Sequence, residues 1–143
     1  MASQFEHYAY EGDIFLKKVA GELGTPDDTD CAFRVSQAVF YALRDRITVE
    51  ESQDLISQLP MAIKAVYVNG WKLGKEREKY KTRQEFLNAV YAHGARTAGR
   101  DLGDDPRPKV QAVFKAIKHY VSEGEMRHVR SQLPREIADL LDV

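Results

Sequence analysis

The sequence predicts an all-α fold, a tandem duplication of a four-helix unit packed as one helical bundle with pseudo-twofold symmetry. Three observations carry that prediction. Apolar residues recur every three or four positions nearly throughout, as one buried helix face requires, and no stretch alternates as a half-buried strand does. Hydroxyl residues followed three positions later by glutamate punctuate the periodic segments, the signature of capped helix starts. Short motifs also return at one offset: Gln37-Ala38-Val39-Phe40 as Gln111-Ala112-Val113-Phe114, and Ser57-Gln58-Leu59-Pro60 as Ser131-Gln132-Leu133-Pro134, each 74 residues on.

In the first unit, helices are expected over 12–24, 29–46, 49–58 and 60–70. Phe15, Val19 and Leu23 form the apolar face of the first, and Val35, Val39, Ala42 and Leu43 that of the second. The acidic run Asp27-Asp28-Thr29-Asp30 precedes the second helix, where carboxylates cap free N–H groups and oppose the macrodipole. Thr48 with Glu51 opens the third helix. Pro60 separates it from the fourth, whose buried face is Ile63, Val66 and Tyr67. Asn69 to Lys81 holds two glycines and many charges and is expected to be a linker. The chain therefore divides into a first repeat over 1–71, a charged linker over 72–81 and a second repeat over 82–143, packed as one compact domain.

The second unit predicts helices over 83–97, 106–120, 123–131 and 134–141. Thr82 with Glu85 and Ser122 with Glu125 supply two further capping boxes, and Pro134 stands where Pro60 did. Phe86, Val90, Val110, Val113, Phe114, Ile117 and Val121 repeat the apolar rhythm. At the 74-residue offset Asp27 meets Asp101, Asp30 meets Asp104 and Glu51 meets Glu125. Phe15-Leu16 and Val19 instead match Phe86-Leu87 and Val90 at an offset of 71, so three extra residues are expected as a loop insertion between Val90 and Asp101. Asp101, Asp104 and Asp105 are expected to cap the helix that follows.

Composition narrows the function classes. A chain of 143 residues buries enough surface to fold without staples, and a single cysteine, Cys31, excludes a disulfide framework. The 21 basic residues against 22 acidic ones give no strong pull on nucleic acid or anionic membrane. No apolar run is long enough to cross a bilayer, and Met1 to Tyr10 has no signal-like apolar core, so a cytoplasmic protein is expected.

Motifs for chemistry are sparse. Phosphate loops, dinucleotide fingerprints and nucleophile elbows do not occur, so no catalytic residue and no cofactor is expected. The acidic loops lack the ligand spacing of a calcium-binding loop. His93, His119 and His128 fall on separate predicted helices, with His7 ahead of the first, and none is taken as half of a metal-binding pair on a helix face, so no metal is expected; His119 and His128 flank one corner. The turn at Arg44-Asp45-Arg46-Ile47-Thr48 has helix-turn-helix proportions, but the helix after it opens with carboxylates that phosphate would repel. The equivalent corner of the second unit carries Arg127 and Arg130, the alternative nucleic-acid contact. Tyr41, Tyr67, Tyr91 and His93 are the residues for a small-ligand pocket between the units.

The segment from Gln37 through Leu43-Arg44-Asp45-Arg46-Ile47, then Glu50-Glu51, Ser57-Gln58-Leu59-Pro60 and Tyr67 to Gly70-Trp71, resembles the bacterial family catalogued as domain of unknown function 2267. Four elements keep their order and spacing, with Ile47 where leucine is usual. The resemblance implies an all-helical bacterial protein and no established reaction. In the second copy Lys118-His119-Tyr120 replaces Arg44-Asp45-Arg46, and nothing corresponds to Gly70-Trp71. The expected function is a non-enzymatic helical protein-interaction module with a protein partner. Its contact residues are Tyr67, Trp71, Lys72, Lys75 and Arg77, an aromatic anchor among cations; the favoured alternative for Trp71 is that its bulk cements the two copies. DNA binding and small-ligand binding between the repeats are the alternatives.

Overall fold

The computed structural model describes residues 3–143. Among them are nine α-helices and no strand: α1 Gln4–Glu22, α2 Thr29–Arg46, α3 Val49–Ile56, α4 Met61–Val68, α5 Arg83–Gly94, α6 Ala98–Leu102, α7 Arg107–Ile117, α8 Glu123–Ser131 and α9 Arg135–Ala138. The all-α prediction holds, and the helix starts fall where the caps placed them: Asp28, Thr48, Thr82 and Ser122 each accept the N–H of the residue three positions on. Helix α1 begins eight residues earlier than expected. Ser3 caps it, and its first two turns carry exposed Phe5 and Tyr10, which gave no apolar face to detect.

One core holds the bundle. Phe15, Phe40, Phe86 and Phe114 are all fully or almost fully buried, together with Val39, Leu43, Val90, Val113, Ile117 and Ile137. Helices of the two halves interlock: α2 packs along α5, α1 along α7, α2 against α7, and α3 against α8. Helices α1 and α4 cross closely at Gly12, where a Cβ would stand 2.9 Å from the Ala62 Cβ, nearer than two such atoms tolerate.

Two expectations for the second half need correction. The helix predicted over 83–97 ends at Gly94, and the extra residues wind into a 3-10 turn, Ala95–Thr97, and the short α6 in place of a loop. Ala95 takes φ 53°, the one non-glycine among the described residues with positive φ. Asp101 is then no cap. It lies inside α6 with its side chain 5% exposed, and Arg34 of α2 grips it through Nε at 2.8 Å and Nη2 at 3.0 Å. The guanidinium holds the Asp101 carboxyl below the usual carboxylate range. Of the other acidic loop residues, Asp28 caps α2, and Asp105 accepts from the Arg107 N–H at the start of α7. Burial and the Asp101 charge push the Cys31 thiol up, the opposite of an activated thiolate.

Arg34→Ala strips the partner from a buried carboxylate and is expected to lower the unfolding free energy by about 2 kcal/mol in urea titration. Arg34→Lys, which keeps charge without the two-pronged geometry, should recover only part of that loss.

Candidate functional site

Two constellations stand out, one anticipated around Tyr67 to Arg77 and one absent from the sequence reading. The first is a strap. After α4, Gly70 adopts φ 68°, a conformation that suits glycine and turns the chain toward Trp71. The segment to Lys81 has no regular structure, yet the end of α2 fixes it at several points. Arg44 Nη1 donates to the carbonyls of Tyr67 at 2.6 Å and Asn69 at 2.8 Å, capping the last turn of α4. The Glu78 N–H donates to the Asp45 carbonyl at 2.8 Å, and Arg46 Nε donates to the Tyr80 carbonyl at 3.0 Å. The three residues of the helix-turn-helix-like corner are thus occupied in holding the chain's own backbone. Asp45 also meets His93 Nε2 of α5 at 2.9 Å, joining the corner to the second half.

The expected contact residues separate in the structure. Tyr67 is fully buried; it shares a 2.6 Å hydrogen bond with Ser52 and packs on Phe40, so its side chain belongs to the core. Trp71 is half-buried, its ring centroid 5.9 Å from that of Tyr67 and 5.8 Å from the Arg44 guanidinium carbon. Lys72, Lys75 and Arg77 are exposed, and so is Leu73 at 65%, a residue the sequence did not single out. In the second half, Lys118 donates to the Val143 carbonyl, the counterpart at the 74-residue offset of Arg44 on Asn69.

The other expected residues have separate duties. Tyr41 stacks edge-on with His93 at 5.7 Å beneath Arg44, and Tyr91 donates its hydroxyl proton to the Gly103 carbonyl. Arg127 is exposed and Arg130 pairs with Asp142 at 2.8 Å; both rim a hollow of about 520 Å³ beside α8 and Val143. His119 is exposed, whereas His128 stands beside Glu125, so the two flank the corner without sharing a role.

The second constellation lies between α3 and α8. Glu51 and Glu125 were expected to fold back onto the N–H groups of Thr48 and Ser122 as capping boxes. Only Thr82–Glu85 closes such a box in both directions. At the other two starts the N–H is taken by the opposite half: Thr48 donates to Gln132 Oε1 at 3.0 Å, and Ser122 donates to Gln58 Oε1 at 2.7 Å. The glutamates, released from capping, turn toward each other across the interface.

Both glutamates are buried, at 7% and 8% exposure, and each has an Oε1 with no hydrogen-bond partner. Gln132 Nε2 donates to Glu51 Oε2 at 3.3 Å; His128 Nδ1 stands 3.9 Å from Glu125 Oε2. Desolvation first, then the Glu51 carboxyl and the charge of Asp54, push the Glu125 carboxyl up to about 7. Glu125 and His128 form a Glu-x-x-His pair on one helix face, which corrects the expectation that no histidine stood in such a pair. One oxygen from each glutamate and a His128 nitrogen lie within 4.8 Å of one another. Sequence offset held the signal: Glu51 and Glu125 are equivalent positions, and Asp54 is equivalent to His128.

Because the folded state holds the Glu125 proton more tightly than an unfolded chain, this group favours folding fully at low pH. Its contribution is lost as pH rises toward about 7. In chelator-containing buffer the unfolding free energy should fall between pH 5 and pH 7.5 by up to about 1.4 kcal/mol per pH unit, and Glu125→Gln should flatten that slope. Asp101 acts oppositely, its contribution lost as pH falls below the ordinary carboxylate range. Gln58→Ala and Gln132→Ala should each cost about 1 kcal/mol, read in the same denaturation assay.

No helix among the described residues is long and apolar enough to cross a membrane. No curated protein matches the chain. The family model described as "Uncharacterized conserved protein (DUF2267)" matches residues 12–140, which takes in every helix from within α1 to α9, the strap and both interfacial glutamates. The chain belongs to the DUF2267 family.

Proposed function

We propose that this protein is a non-enzymatic, cytoplasmic helical interaction module, formed by duplication of a four-helix unit about a pseudo-twofold axis, and that it engages a protein partner through the strap. Duplication is supported by the way exchange of the halves maps contacts onto one another: α2 on α5 onto α7 on α1, Gln58 on Ser122 onto Gln132 on Thr48, and Arg44 on Asn69 onto Lys118 on Val143. Repeats over 1–71 and 82–143 joined by the segment 72–81 fit that mapping.

The observation that carries the interaction reading is the anchored, irregular strap. A segment without helix or strand leaves a helix end capped by Arg44 and is tied near its far end, at Glu78 to the Asp45 carbonyl and at Tyr80 to Arg46, so part of the ordering entropy of binding is already lost. Leu73 is 65% exposed in a segment that holds Trp71, Lys72, Lys75 and Arg77; Glu78 pairs with Lys75 and Glu76 with Lys79, and the cations in excess suit an acidic, amphipathic protein segment.

Capture from extracts of the native host, using the intact chain as bait, tests this. Leu73→Asp should leave the melting temperature unchanged and weaken the captured partner roughly tenfold, the loss of one buried leucine contact plus a repulsive charge. A partner retained equally by Leu73→Asp and by a Lys72→Glu, Lys75→Glu variant would place binding elsewhere and sink the proposal.

A further inference from the structure

We propose that Glu51, Glu125 and His128 form a binding site for one divalent transition-metal ion of the zinc class, held across the contact between α3 and α8. The inference is independent of the strap and of any partner.

Four observations converge on it. The ligand atoms come from both halves and lie within 4.8 Å of one another. Zinc bonded to oxygen and nitrogen at about 2.0–2.2 Å wants its ligands about 3.3–3.6 Å apart, so the set needs only modest closure. His128 can supply it: its side chain is 72% exposed and free to change rotamer, while the Glu125 side chain beside it is 9% exposed. Second, Glu51 Oε1 and Glu125 Oε1 are buried acceptors without a donor, a costly arrangement that a cation relieves directly.

Third, the usual duty of these glutamates is taken by others. Gln132 and Gln58 already satisfy the N–H groups of Thr48 and Ser122, so capping does not explain why carboxylates stand there. Gln132 Nε2 also donates to Glu51 Oε2, orienting that carboxylate as the outer partners of metal ligands do. Fourth, the charges match. Two carboxylates and a neutral imidazole balance a divalent ion, and a mixed oxygen and nitrogen set selects a transition metal over calcium or magnesium. The exposed side of His128 leaves remaining coordination positions to water. Bound there, the ion ties α3 to α8 and thereby one half of the chain to the other.

The test uses the intact chain, treated with chelator and dialysed, at pH 7.5. Titration with zinc chloride, followed by calorimetry and by thermal denaturation, should show one saturable equivalent and a raised melting temperature. Cobalt chloride should give visible absorption bands of a low-symmetry site. His128→Ala removes an exposed side chain and should leave metal-free melting unchanged while weakening zinc at least tenfold, since loss of an outer partner alone costs roughly 10- to 100-fold. Glu125→Gln should raise metal-free melting at this pH yet abolish the zinc-induced increase. Absence of saturable binding of either metal, or binding undiminished in both variants, would overturn the site. Magnesium binding as tightly as zinc would overturn its assignment to a transition metal.

Discussion

The exchange of capping groups between α3 and α8 is the constraint around which this structure is arranged. Thr48 and Ser122 cap their own helix starts with their hydroxyls, and the N–H of such a cap residue is taken in a capping box by a glutamate three residues on. Here Gln58 and Gln132, each just past the end of one of these helices, reach across and cap the other. Because each bond joins opposite halves, neither helix start is complete without the other half. The same exchange sets Glu51 and Glu125 free to meet in the interface, where burial makes their charge expensive. Stability and candidate chemistry therefore share one origin.

The carboxyl pair is not balanced. Glu51 has a donor in Gln132 Nε2, whereas Glu125 faces the Glu51 carboxyl and the more distant His128. Glu125 accordingly holds its proton near neutrality, while Asp54 adds a further negative charge nearby. Asp54 and His128 stand 74 residues apart, so the interface carries an imidazole on one side only.

The Arg-Asp-Arg corner has helix-turn-helix proportions, yet its bonds go to the chain's own backbone. Asp45 and Arg46 bond backbone atoms of the strap, and Arg44, buried between Tyr41 and Trp71, caps the end of α4 that leads into it. At the 74-residue offset from Arg44, Lys118 donates to the Val143 carbonyl.

Helix identity, helix starts and the buried faces were fixed by local physics, so the chain itself determined them. Periodic apolar residues and hydroxyl caps act within a few positions, and Asp28, Thr48, Thr82 and Ser122 open helices as their spacing requires. The offset of 74 residues likewise exposed Glu51 and Glu125 as equivalents before any coordinates. What a glutamate at the third helical position points toward is not local. Its carboxylate chooses between its own N–H and whatever the fold brings near, and only tertiary packing put a glutamine amide at each N–H and a second carboxylate opposite. Asp101 followed the same rule: adjacent residues marked it as a cap, and α2 brought Arg34 close enough to claim it, 67 positions away in the chain. Tyr67 had two readings, a buried helix face and a contact surface; the fold chose the first, pairing its hydroxyl with Ser52, 15 residues distant. Backbone choices are made within a turn, whereas side-chain partners are chosen in space.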